Sequence, residues 1–143
     1  FHQPDYHPAL LTAWPALGIA AGGRVFVPLC GRSLDMVWLA ARGHPVVAIE
    51  LSRIAVEGFF RHVGLEPARD RSGALERWRA GPFELLCGDF FDLEPAQLAG
   101  VAGWYDRAAL VALPAAMRRG SVERLAALLA PGARGLLITH DYD

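Results

Sequence analysis

An α/β fold, with helices on the faces of a mostly parallel sheet, is predicted by three features of this sequence. Short runs rich in β-branched residues alternate with segments of helical period. Serines and glycines stand where those helical segments would start and stop. The apolar runs also end in residues of unusual chemistry, and open parallel sheets place their ligands at those ends. A chain of 143 residues suits one domain, 1–143, and no repeat, linker or low-complexity segment divides it.

Taken in order, Pro8 to Ala21 reads as a leading helix that Pro15 begins or kinks. Arg24 to Leu29 is the first strand, ending at Cys30-Gly31. Ser33 then caps a helix from Leu34 to about Arg42, with Asp35 in its first turn and Gly43 as its stop. Pro45 to Glu50 is the second strand. Ser52 caps the next helix, which runs to Val63 and ends at Gly64. Glu66 to Gly73 is polar and reads as a loop. Leu75–Arg79 and Phe83–Cys87 flank Ala80-Gly81-Pro82 as a hairpin, whose second arm becomes the third parallel strand. Trp104 to Ala109 is the fourth strand and its exit, Pro114 to Leu129 a helix, and Gly135 to Thr139 the fifth strand.

Composition excludes several chemistries. All 14 Lys-or-Arg positions are Arg, so a Schiff-base lysine and a Walker-type phosphate loop are ruled out, and with no Asn there is no N-glycosylation sequon. A net charge of −1 leaves no basic stripe for nucleic acid. The longest apolar stretch, Ala9 to Gly23, is broken by Pro15 and falls short of the roughly 18 residues a membrane helix needs. Cys30 and Cys87 form no CxxC pair and fit a reducing, cytoplasmic setting. The five histidines show neither HxH nor HxxxH spacing, so no metal is expected. A bias to Ala, Arg, Gly and Pro points to a GC-rich bacterial source. A first residue of Phe suggests a fragment.

The strand ends carry the candidate site. Glu50 lies about 20 residues after Gly31, the spacing at which an acid accepts hydrogen bonds from the hydroxyls of a ribose. It could equally face solvent beyond the strand. Asp89 could bond an adenine amino group with Phe90 stacked on the ring, or cap the segment that follows it. The Leu29-Cys30-Gly31 turn keeps one glycine of the dinucleotide pattern, and Asp35 adds a negative charge nearby; both weigh against a pyrophosphate. S-adenosylmethionine, which has ribose and adenine but no phosphate, fits better. Arg107 either orients an anionic ligand or pairs with Asp106. Cys30 reads as a buried strand-end thiol rather than a nucleophile, and Ser33 as a cap, because Gly-x-Ser-x-Gly is absent. The four tryptophans read as core residues.

The segments Val27 to Met36, Ala40 to Ser52, Cys87 to Asp92 and Tyr105 to Leu110 resemble thiopurine S-methyltransferase, particularly its bacterial members, and the opening Phe1-His-Gln-Pro4 resembles that family's Phe-His-Gln segment. The resemblance implies a class I methyltransferase fold, Rossmann-like, a three-layer sandwich. It implies S-adenosyl-L-methionine as donor and the thiol of a small acceptor such as a thiopurine, with selenium and tellurium species as further soft acceptors. It places Leu29, Gly31 and Glu50 on the donor, Asp89 and Phe90 around its adenine, Arg107 between donor and acceptor, and Phe1 beside the acceptor. No dedicated general base is expected, and a monomer is. The chain is expected to lack a Trp-containing covering segment ahead of it and the family's terminal antiparallel hairpin. An NAD(P)-dependent oxidoreductase and a non-catalytic nucleotide-binding domain are the alternatives.

Overall fold

The computed structural model describes residues 14–28, 35–107, 127–129 and 133–138. Its seven strands are β1 (Arg24–Val27), β2 (Val46–Glu50), β3 (Ala68–Ser72), β4 (Leu75–Ala80), β5 (Phe83–Cys87), β6 (Val101–Arg107) and β7 (Arg134–Ile138). Two helices, α1 (Asp35–Ala41) and α2 (Arg53–Val63), follow β1 and β2. One sheet holds all the strands in the order β3-β4-β5-β2-β1-β6-β7. Strands β5, β2, β1, β6 and β7 run parallel, while β3 and β4 form an antiparallel hairpin beside β5.

The parallel strands therefore succeed one another as third, second, first, fourth, fifth. Chain direction across the sheet reverses between β1 and β6, and the crevice above such a reversal is where doubly wound folds take ligands.

Period-two alternation sorts the core into two faces. Val25, Val27, Val46, Ala48, Phe83 and Leu85 join one buried cluster with Met36, Leu39, Val56 and Phe59 from the helices. Phe26, Val47, Ile49 and Leu86 join the other, against Phe90, Leu93, Leu98 and Leu128. Helices α1 and α2 thus cover one face. Short 3₁₀ turns at Phe90–Asp92 and Pro95–Leu98, with the helical residues 127–128, lie on the opposite one.

Helix α2 starts and stops where its sequence says it should. Ser52 Oγ accepts the Ala55 N–H at 3.2 Å, and Gly64, at φ 75°, turns the chain out of the last turn. Val56, Phe59 and Phe60, spaced for one helical face, are buried. Phe59 meets Phe83 edge-to-face at 5.0 Å, and Phe60 stacks over Trp78 at 6.5 Å.

Three expectations change. The leading helix is replaced, over its described part, by a single 3₁₀ turn at Pro15–Leu17 that ends in left-handed Gly18; residues 8–13 lie outside the described residues. Pro15 starts that turn and Gly18 stops it. The stretch read as a loop from Glu66 contains β3, whose Asp70 faces Arg77 across the ladder. Arg77 donates two hydrogen bonds to Asp70, at 2.8 and 2.6 Å, and Arg79 adds a third at 3.3 Å. The bond from Arg77 holds the Asp70 carboxyl below the usual aspartate range. The fourth strand begins at Val101 rather than Trp104. Ser33, and the helix expected from Pro114 up to residue 126, lie outside the described residues.

Candidate functional site

The carboxyl ends of β1, β2, β5 and β6 share one edge of the sheet. Pro28 follows β1, Glu50 closes β2, Gly88 and Asp89 follow β5, and Arg107 closes β6.

Glu50 is half-buried there, and its Oε2 accepts the Ser52 N–H at 2.7 Å. The residue that caps α2 therefore also fixes the carboxylate, while Ser52's own hydroxyl holds the helix. A carboxylate has about four acceptor positions, and this backbone bond fixes the orientation of the group. Glu50 does not simply point into solvent.

The neighbouring strand end is fastened to it. Gly88 donates its N–H to the Glu50 carbonyl at 3.0 Å. Gly88 has φ 149°, and an added Cβ would stand 2.5 Å from Cδ2 of the fully buried Leu75. Only glycine lets the chain leave β5 in this direction.

Asp89 caps the turn after β5, accepting the Phe91 N–H on Oδ1 at 2.9 Å. Among the described residues its Oδ2 has no partner, so capping and ligand binding are compatible. Phe90 and Phe91, which follow Asp89, differ in burial. The Phe90 ring is 6% exposed in the second core cluster, whereas Phe91, edge-to-face with it at 5.4 Å, is 42% exposed. The 3₁₀ turn rotates the first ring inward and the second outward. Leu51 and Ile54, at 69% and 81% exposure, add apolar surface beyond Glu50; nothing in the spacing of the sequence marked them or Phe91. Arg107 ends β6. Phe1, Leu29, Cys30 and Gly31 lie outside the described residues.

Cys87 pairs in register with both Glu50 and Glu76, and its Sγ lies 4.0 Å from the Leu51 carbonyl. Burial first, and then the Glu76 and Glu50 carboxylates, push its thiol above the ordinary value. Alkylation of Cys87 by iodoacetamide near about pH 8 is expected to run well below the rate in the denatured chain, since the thiolate is the nucleophile. Peptide mass spectrometry on a Cys30→Ser background would show it; equal rates folded and denatured would contradict the shielding. Among the described residues no group of His, Cys, Asp and Glu is placed to hold a metal ion, and no helix is long and apolar enough to cross a membrane.

Buried polar contacts also begin at the amino ends of β1 and β2. The Trp14 indole donates to His44 Nε2 at 3.2 Å, and an indole N–H can only donate. His44 is then the Nδ1–H tautomer, donating to the Gly23 carbonyl at 2.9 Å. Trp14 also meets Tyr105 edge-to-face at 6.4 Å. Tyr105, fully buried on β6, donates its hydroxyl to Asp35 Oδ2 at 2.6 Å, and Asp35, the first residue of α1, is fully buried too.

Comparison with known proteins bears on the fold and the family. The solved structure of the glycopeptide N-methyltransferase MtfA complexed with S-adenosyl-L-methionine superposes with a TM-score of 0.63 at 18% identity, covering 87% of this chain and 50% of that one. A TehB-like S-adenosylmethionine-dependent methyltransferase from Corynebacterium glutamicum gives 0.60 at 14% identity, covering 86% and 58%. These likenesses establish the class I methyltransferase fold. Among sequences, a thiopurine S-methyltransferase of Pseudomonas putida strain F1 is 52% identical over 143 residues, all of this chain and 66% of its own length. One from Xanthomonas campestris pv. campestris strain 8004 is 52% identical over 142 residues, 99% of this chain and 65% of its own. The chain thus spans about two-thirds of the length of the curated relatives it matches. The profile described as Thiopurine S-methyltransferase (TPMT) matches residues 1–143 from end to end. The chain belongs to the thiopurine S-methyltransferase family.

Proposed function

We propose that the protein containing this chain transfers a methyl group from S-adenosyl-L-methionine to the thiol of a small aromatic or heterocyclic acceptor such as a thiopurine, with residues 1–143 as a single donor-binding domain. One observation carries the reading: the half-buried Glu50 carboxylate, oriented by the Ser52 N–H at the end of β2 beside the strand-order reversal. That is where a ribose-bearing ligand needs an acceptor for its hydroxyls. Asp89 Oδ2 is suited to the amino group of an adenine, and the exposed Phe91 and Leu51 to its flat face. An acid at Asp35, a few positions past Gly31 in the sequence, disfavours a pyrophosphate and with it the dinucleotide alternative.

When bound, the donor supplies a methyl group on a sulfonium, which becomes a neutral thioether as the acceptor thiolate forms the new S–C bond. Two opposite charges disappear in that step, so the chain assists by alignment and by excluding water rather than by moving a proton. Arg107, permanently charged at the end of β6, is suited to attract and orient an anionic acceptor. Leu29 and Gly31 are suited to the methionine tail, and Phe1 to the acceptor.

The test is methyl transfer by the full-length protein, with radiolabelled donor, to a panel of aryl thiols, thiopurines and selenite. Label is expected on at least one thiol. Binding of NAD in preference to S-adenosylmethionine would overturn the reading, as would donor binding with no transfer to any acceptor.

A further inference from the structure

His44 has no part in the site assigned above, although its side chain is titratable and only 3% exposed. It lies two residues ahead of β2, at the opposite end of that strand from Glu50. Both ring nitrogens are engaged: Nε2 accepts the Trp14 indole N–H at 3.2 Å, and Nδ1 donates to the Gly23 carbonyl at 2.9 Å. The two rings also meet edge-to-face at 5.7 Å. Trp14, itself 4% exposed, immediately precedes the 3₁₀ turn Pro15–Leu17. One side-chain bond between residues thirty positions apart therefore pins that turn to the entrance of β2. Among the described residues no carboxylate bonds to the imidazole. Asp35 takes the hydroxyl of Tyr105, whose ring stands against Trp14. Of the flanking cations, Arg42 lies 4.7 Å over Trp38, and Arg24 donates to the Gln97 and Ala99 carbonyls and pairs with Glu84.

We propose that His44 and Trp14 form an acid-sensitive latch, in which protonation of the imidazole releases the indole, and with it the Pro15–Leu17 turn, from the core. A neutral imidazole accepts at one nitrogen, whereas an imidazolium donates at both. In the charged state Nε2–H would face the Trp14 N–H, donor against donor, with no carboxylate to offset a buried charge. The closed latch therefore carries no proton on Nε2, while a solvated imidazole takes one up below about pH 6.5. The open form holds the extra proton, so a fall in pH favours it and a rise restores the bond. The bond from the Gly22 N–H to the Gly43 carbonyl, 2.8 Å long, does not titrate and keeps the approach to β1 attached, which confines the opening to Trp14 and its turn. The latch is independent of the donor reading, since none of its contacts involves Glu50, Asp89 or Arg107.

The test is hydrogen exchange of the Trp14 indole N–H, followed by NMR on the full-length protein labelled with ¹⁵N, with the resonance assigned through Trp14→Phe. Between about pH 8 and about pH 5 its protection, corrected for the intrinsic pH dependence of exchange, should fall by about tenfold or more. The fall should run in step with the ring ¹⁵N shifts of His44, from the Nδ1–H tautomer to the imidazolium. His44→Gln has an amide oxygen to accept the indole N–H and an amide NH₂ to donate to Gly23, but it does not titrate. Its Trp14 protection should stay within about twofold across the same range. Protection that survives while His44 becomes charged overturns the latch. So does a ring that is still neutral at about pH 5, or an equal acid loss of protection in His44→Gln. The ring shifts and the indole exchange are both read on the parent protein, so a glutamine variant that fails to fold leaves the decisive comparison in place.

Discussion

Glu50→Ala is expected to weaken S-adenosylhomocysteine binding by roughly 1.5 to 3 kcal/mol, the range for hydrogen bonds to a charged group, or roughly tenfold to 150-fold in Kd. Folding stability should change little. The Ser52 N–H that loses its carboxylate lies in an exposed turn, where water replaces the partner, and Ser52 Oγ still caps α2. Glu50→Gln, which keeps an acceptor but not the charge, should fall between parent and alanine. Calorimetry for affinity and denaturant melts for stability separate the two effects. An unchanged Kd would remove Glu50 from the site, and a large loss of stability would make it a structural residue.

Phe59→Ala is expected to destabilise the protein by about 3–5 kcal/mol, the cost of truncating a fully buried aromatic whose neighbours relax only in part. Phe59 is fully buried and its ring sits edge-to-face with both Phe60, at 5.5 Å, and Phe83, at 5.0 Å. It joins α2 to β5, so the loss is felt by the helix that Ser52 begins and by the strand that Cys87 ends. Phe59→Leu, closer in volume, should cost less than about 1.5 kcal/mol. Urea unfolding of full-length variants checks both; a loss below about 1 kcal/mol for alanine would mean that the site collapses around the gap.

What the sequence made legible follows from which interactions are local. The span of α2 could be read from Ser52 and Gly64 because caps act within one helical turn. The mostly parallel sheet could be read because apolar strand-like runs alternate with helical segments along the chain; β1 and β2 bury side chains on both faces. β3 was hidden because Arg69, Asp70 and Arg71 are exposed and carry no alternation; their strand exists through the partners β4 offers. The site divides in the same way. Glu50 stood out from its place at a strand end. The distinction between Phe90 and Phe91 depends on the 3₁₀ twist after Asp89, and adjacent identical residues give no sign of which turns inward. Tyr105 and Asp35 were unreadable as a pair, since no local pattern couples residues on separate elements.

The charged character of β3 also bears on how crowded molecules meet. The outermost strand presents Arg69, Asp70 and Arg71 to water along a rim whose main-chain groups have no neighbour on the far side among the described residues. An incoming extended peptide would have to strip solvent from three ionised side chains to zip onto that rim, two of them of like sign. Self-templated fibril growth from this flank is thereby discouraged.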